Sequence, residues 1–174
     1  PDLLLEGYEQ KEAMIKLLRT KDSMELHGYS PSLGIASVKE KIADSLNQRF
    51  GMNYTGNHIF PTTGAAGAVA HAVRCVTEAG DEVLTIAPYF PEYKMYVNMT
   101  GARLKMVPAD TESFQIQFGR LEEMLTEKVA ALLINTPNNP SGAVYSEDTL
   151  KKLAPIAQEL GVERQVCFTG WIQD

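Results

Sequence analysis

Four short segments carry residue types that could hold a flat, anionic ligand. Thr63-Gly64-Ala65-Ala66-Gly67 puts small residues where a strand would turn into a helix. Backbone N–H groups at a helix start have no intrahelical partner, and small side chains let a phosphate reach them. The same run also serves as a tight turn with a small-residue packing face. No Gly-Lys-Ser/Thr follows, so it is not a triphosphate loop, and the GxGxxG pattern of dinucleotide binders is missing. Pro88-Tyr89-Phe90-Pro91-Glu92-Tyr93 supplies aromatic rings that could stack on a heteroaromatic ligand or simply pack between loop and helix. Asn135-Thr136-Pro137-Asn138-Asn139-Pro140-Ser141-Gly142 offers amides for a ligand oxygen in a proline-stiffened loop. The same residues are ordinary turn formers. His27-Gly28-Tyr29-Ser30-Pro31 carries a phenol that could donate to an anion or sit on the surface. The histidines, His27, His58 and His71, pair with no nucleophile, and His71 is expected to be a structural residue in mid-helix.

The elements that must position these segments follow from spacing. Residues 7–20 are helical in character, and residues 21–36 read as irregular because of Gly28, Pro31 and Gly34. Ser37 with Glu40 forms a capping-box pattern opening a helix. Val38, Ile42, Leu46 and Phe50 make its apolar stripe, and Gly51 its stop. Strands and helices then alternate. Residues 59–63 are expected as a short strand or strand end, 65–79 as a buried helix, 82–87 as a strand ended by Pro88, and 91–100 as a helix begun by Pro91. A strand at 103–107, a short helix at 121–127 and a strand at 129–134 follow, the last apolar throughout and so expected to be buried on both faces. Ser146 caps a helix whose core stripe is Leu150, Leu153, Ala157 and Leu160. This alternation predicts an α/β fold with a mainly parallel sheet flanked by helices. Ligands of such sheets bind beyond the strand C-termini, which puts residues 63–66, 88–93 and 135–142 on the ligand-facing edge.

Bulk properties narrow the function. The chain has 174 residues, 44% of them hydrophobic and 22% charged, as in an ordinary globular domain. A formal net charge of −6 disfavours nucleic acid and anionic membrane as partners. No apolar run approaches the roughly 20 residues that span a bilayer. Two cysteines, neither in a CxxC pair, and three histidines make a structural zinc site unexpected. Such cysteine usage fits a reducing compartment, so a cytoplasmic location is expected. The N-terminus lacks the basic region of a signal peptide and a starting Met, which suggests a chain that begins inside a longer one.

The ordered set Tyr29…Gly34, Thr63-Gly64-Ala65, Pro88-x-Phe90-Pro91-x-Tyr93 and Asn139-Pro140-Ser141-Gly142 resembles the class I/II aminotransferases. These are aspartate-aminotransferase-like enzymes of fold type I that use pyridoxal 5′-phosphate (PLP). The resemblance covers roughly residues 7–162. It implies that the backbone of Gly64, Ala65 and Ala66 receives the cofactor phosphate. Phe90 would stack on the pyridine ring and Asn139 would hydrogen-bond its phenolic oxygen. Tyr29 would reach the phosphate in a neighbouring subunit, implying a homodimer with shared sites. It further implies that residues 1–50 belong to the small domain or domain junction, and 51–162 to part of the PLP-binding large domain. Substrates would be an α-amino acid and a 2-oxo acid.

The resemblance fails at residues 163–174. The family's Asp-Glu-x-Tyr-like motif, whose aspartate pairs with the pyridinium nitrogen, is expected near Thr169 and is not there; Asp174 does not take that role. Lys94, Lys105, Lys128, Lys151 and Lys152 lie in no motif matching the Schiff-base lysine, so no catalytic residue is assigned. The chain alone is therefore expected to be inactive and to bind PLP weakly or not at all. Other readings are a PLP-dependent lyase, decarboxylase or synthase of the same fold, a truncated fragment acting only in dimerisation, and a nucleotide-binding α/β domain, the last disfavoured by its missing glycine fingerprints.

Overall fold

A computed structural model describes residues 2–159 and 168–169, and the chain divides into two units, Pro1–Pro61 and Thr62–Asp174. The first unit holds α1 (Asp2–Thr20), α2 (Ser23–His27), α3 (Ala36–Phe50) and a 3-10 turn at Gly56–His58. α2 falls in the segment expected to be irregular. Asp22 accounts for it, since its carboxylate accepts the Met24 N–H at 2.7 Å and so caps the helix start.

α3 differs from expectation in two ways. Its N-cap is Ile35, with no side-chain capping bond, so the Ser37–Glu40 capping box does not form. The helix also buries a different face: Lys39 and Ala43 are covered, while Val38, Ile42 and Phe50 are exposed. The returning chain decides which face is covered. The Asn47 carboxamide accepts the Tyr54 N–H at 2.6 Å and donates to the Tyr54 carbonyl at 2.8 Å. That clamp lays residues 54–60 along the Lys39–Ala43–Asn47 face, and the Lys39 ammonium sits 5.5 Å from the Phe60 ring centroid. Gly51 ends the helix in the left-handed region, as expected.

The second unit is built on a parallel sheet of order β2-β1-β3-β4, with β1 (Glu82–Ile86), β2 (Arg103–Val107), β3 (Val129–Asn135) and β4 (Phe168–Thr169). Four helices accompany it: α4 (Gly64–Val76), α5 (Glu92–Asn98), α6 (Phe118–Glu123) and α7 (Glu147–Glu159). The expected strand at 59–63 does not form; that segment has no ladder partner among the described residues.

The strand period of two splits the apolar residues between two faces. Val83, Ala131 and Leu133 join Val69 and Val73 of α4 and Tyr93, Tyr96 and Val97 of α5 in one core. Leu84, Ile86, Val107 and Val129 join Leu121 of α6, Leu153 of α7 and Tyr145, just before α7, in the other. Val129 changes sides because the ladder skips Ala130 between the Glu82–Val129 and Val83–Ala131 pairs. An extra residue in one strand reverses the alternation beyond it. β3 is therefore not buried on both faces throughout: Val129, Ala131 and Leu133 are buried, and Ala130, Leu132 and Ile134 are half-buried.

α4 is shorter and more exposed than the buried helix expected from its Ala and Val content. Only Val69 and Val73 are buried, and His71 and Cys75 face outward. Ala side chains add too little area to force burial all round. Ser146 caps α7 as expected, its hydroxyl accepting the Thr149 N–H at 3.2 Å. Leu153 is buried and Leu150 half-buried in the α7 stripe; Ala157 and Leu160 lie outside the residues whose side chains are described. The 163–174 tail lies outside the described residues apart from Phe168 and Thr169, which form β4.

Candidate functional site

The direction of α4 sets the site edge. The Gly80 N–H donates to the Gly101 carbonyl at 3.0 Å, just before β1 begins. α4 therefore ends at the N-terminal edge of the sheet and runs antiparallel to the strands. Thirteen helical residues span about 20 Å, close to the length of the strands they cover. The N-terminus of α4 thus lies at the C-terminal edge of the sheet, where the β1 and β3 loops also emerge. β1 is followed in sequence by β2 on one side, and the chain then crosses to β3 on the other. The C-termini of β1 and β3 flank the switch point at which α/β sheets open a binding crevice.

At the start of α4 the backbone is arranged for an anion. Gly64 has φ +72°, and nothing lies within 4 Å of the position a Cβ would take. The Gly64 N–H donates to the Thr62 carbonyl at 3.0 Å, and the Thr62 hydroxyl donates to the Gly64 carbonyl at 3.0 Å. Thr63 makes no side-chain cap. Among the described residues no acceptor takes the N–H groups of Ala65 and Ala66, and both residues are exposed. Free N–H groups at the positive end of a helix dipole attract an anion.

Beyond β1, Tyr89 and Phe90 are half-buried and pack against the core shared by α4 and α5. The Tyr89 ring stacks on Tyr93 with centroids 6.5 Å apart and 11° between planes. Phe90 meets Tyr93 edge-on, at 5.8 Å and 75°. Burial pushes the Tyr93 phenol up from its ordinary range, so it stays neutral and acts as a platform for the other two rings.

Beyond β3, the two adjacent asparagines play opposite parts. Asn138 is 7% exposed and organises the loop from inside. Its Oδ1 accepts the Ser141 N–H at 3.2 Å and the Ser141 hydroxyl at 3.0 Å. Its own N–H donates to the Ala143 carbonyl at 2.8 Å, and its carbonyl accepts the Gly142 N–H at 2.7 Å. Asn139 is exposed, and its carboxamide makes no hydrogen bond among the described residues. Thr136 ties the loop to the segment just before α7 by accepting the Tyr145 N–H at 3.0 Å. The Thr85 hydroxyl, buried between strands, donates to the Leu133 carbonyl at 3.0 Å and locks β1 to β3 near this edge. The peptides preceding Pro88, Pro137 and Pro140 are cis.

The second unit thus brings Gly64, Ala65, Ala66, Phe90 and Asn139 to one edge of one sheet. Tyr29 belongs to the first unit, follows α2 and is fully exposed. The supporting residues Asn135, Thr136, Asn138 and Thr85 carry no separate sequence signal, because turn asparagines and strand threonines are common. Only the one-residue offset between Asn138 and Asn139, one inward and one outward, could have pointed to them. The donor set suits a phosphorylated, oxygen-bearing aromatic ring: unsatisfied N–H groups for the phosphate, an aromatic platform, and a free carboxamide. Among the described residues no group of three or more metal-ligating side chains occurs, and no helix is long and apolar enough to cross a membrane.

Comparison with known proteins agrees with this fold. The family model for aminotransferase class I and II matches residues 5–162. A probable aspartate/prephenate aminotransferase of Aquifex aeolicus is 35% identical over 87% of this chain and 38% of its own length. A probable aspartate aminotransferase of Methanocaldococcus jannaschii is 32% identical over 81% of this chain and 37% of its own. Among solved structures, an amino transferase from Eubacterium rectale superposes with a TM-score of 0.82 at 42% identity, covering 92% of this chain and 40% of that one. The aspartate aminotransferase of Thermus thermophilus with maleate gives 0.78 at 28% identity, again over 92% of this chain and 40% of that one. The chain spans about two fifths of the length of the relatives it matches.

Proposed function

Because this chain belongs to the class I and II aminotransferases, we propose that it forms the phosphate-, ring- and oxygen-binding part of a PLP site. The whole protein would move an amino group from an α-amino acid to a 2-oxo acid. The observation that carries this reading is the convergence of the open α4 start, the Phe90 platform and the unpaired Asn139 carboxamide on one sheet edge. PLP supplies, when bound, an electron-accepting ring for the bond broken at the substrate α-carbon.

The roles of this chain's residues follow from their surroundings. The N–H groups of Ala65 and Ala66, with the α4 dipole behind them, bind the phosphate without needing a cationic side chain. Gly64 keeps the approach open, since no side chain stands over it. Phe90, braced edge-on by Tyr93, covers one ring face and excludes water from it. The Asn139 carboxamide donates to the ring's phenolic oxygen and orients the ring in its plane. Tyr29, fully exposed, is free to reach the phosphate site of a second copy, so the working form is a homodimer. The exposed free thiol of Cys75 supports a reducing, cytoplasmic setting.

Titrating PLP into the isotope-labelled whole protein that contains this chain, with resonances followed by NMR, tests the site. The Gly64, Ala65 and Ala66 amides and the Asn139 carboxamide should shift together, while inorganic phosphate should move only the α4 amides. Shifts confined to other residues, or none at millimolar PLP in the whole protein, would overturn the reading. For the whole protein, amino-acid consumption that does not depend on a 2-oxo acid would favour a lyase instead.

A further inference from the structure

Asn135 ends β3, where its backbone pairs with Thr169 of β4. Its Oδ1 accepts the Asn139 N–H at 2.8 Å across the loop. The other loop bonds among the described residues belong to Thr136, Asn138, Ser141, Gly142, Ala143 and Tyr145, and none of them reaches Asn139. Among the described residues, the Asn135 bond is thus the one tie that holds the Asn139 backbone itself to the sheet. Ligand-binding precision is set by the residues that lock a contacting group in place, and a loop residue without such a tie samples several orientations.

From this we infer that Asn135 is a positioning residue: it holds the Asn139 backbone so that the Asn139 carboxamide faces the cofactor's phenolic oxygen. The inference rests on the PLP reading above. Oδ1 on the last strand residue reaches four residues on, and a shorter or apolar side chain cannot. Asp keeps an acceptor at the same place, whereas Ala and Ser do not reach. The bond acts on the ring oxygen alone and leaves the phosphate contacts at α4 untouched.

The test compares PLP with 3-O-methylpyridoxal 5′-phosphate, whose phenolic oxygen is capped, on the whole protein that contains this chain and on its Asn135→Ala, Asn135→Ser and Asn135→Asp variants. In the unmodified whole protein PLP should bind more tightly than the capped analogue. Asn135→Ala and Asn135→Ser should lose that preference, weakening PLP about five- to tenfold, the size of one hydrogen bond, with the analogue unchanged. Asn135→Asp should retain it. The Ala65 and Ala66 amide shifts should persist in every variant. If Ala and Ser keep the preference while Asn139→Ala loses it, the inference fails and the PLP reading stands. If the whole protein binds neither compound, the PLP reading itself fails. Should the Ala and Ser variants not fold, amide exchange in the unmodified chain decides. The Asn139 N–H, being bonded, should exchange more slowly than the Ala65 N–H, and equal rates would sink the inference.

Discussion

Gly64 holds φ +72° with open space at its missing Cβ, so the need for glycine there is purely one of backbone conformation. A Gly64→Ala chain should lose about 1–2 kcal/mol in urea unfolding, the left-handed penalty of an L-residue, and should suffer no steric clash beyond it. Retained stability would mean that the turn had relaxed to negative φ, which would close the approach to Ala65. A second residue reports through pH. Asp110 accepts the Ser113 hydroxyl at 2.7 Å, the Ser113 N–H at 2.7 Å and the Glu112 N–H at 3.1 Å, and these bonds hold its carboxyl below the ordinary value of 3.8. The unfolded chain therefore binds the proton more readily. The stabilisation is full above that ordinary value and fades as pH falls through the lower folded one. The gap in melting temperature between the unmodified chain and Asp110→Asn should accordingly be constant near neutrality and shrink in strong acid. A gap that widened in acid would contradict this assignment.

At the scale of elements, α7 contains an internal Pro155 on its exposed side. Proline cannot donate to the Lys151 carbonyl one turn back, so the helix runs with one bond fewer. Pro155→Ala restores that donor and removes little packing; it should raise the urea midpoint by about 1–3 kcal/mol equivalent at unchanged slope. A lowered midpoint would show that the proline ring matters to packing. The elements also show what the sequence made legible. β1, β2 and β3, the Pro91 start of α5, the Ser146 cap and the Gly51 stop all follow from local signals, because each depends on residues within one turn or strand. The buried face of α3 was not legible. Its Val38–Ile42–Phe50 stripe is a sound amphipathic pattern, but the Asn47 clamp on Tyr54 brings the chain onto another face. The Ala130 slip and the outward turn of His71 were hidden for a like reason: both depend on partners distant in sequence. At the site, the outward-facing Gly64 turn and Asn139 could be read from motif and order. The inward work of Asn138 and Asn135 could not, since adjacent asparagines look alike until one of them is buried.

For the whole molecule, β1 is the member that joins the two cores. Val83 lies in one, and Leu84 and Ile86 in the other, all essentially without solvent contact. Truncating Leu84 to Ala should cost about 2–5 kcal/mol. The loss should appear equally in probes of either side of the sheet, Tyr93 on one and Tyr145 on the other. Separate transitions from the two tyrosines would mean that the cores fold independently.

The sheet order closes on β2, whose outer side carries no ladder partner among the described residues. Such an edge invites any extended chain to add itself. Arg103 and Lys105 occupy alternate positions there, and the Lys105 ammonium is drawn to Glu82 at 2.8 Å, over the flank of β1. A strand attaching to β2 would have to desolvate both cations and compete with that ion pair. The cost of stripping water from Arg103 and Lys105, more than the inward-directed ion pair, therefore discourages strand addition at this edge.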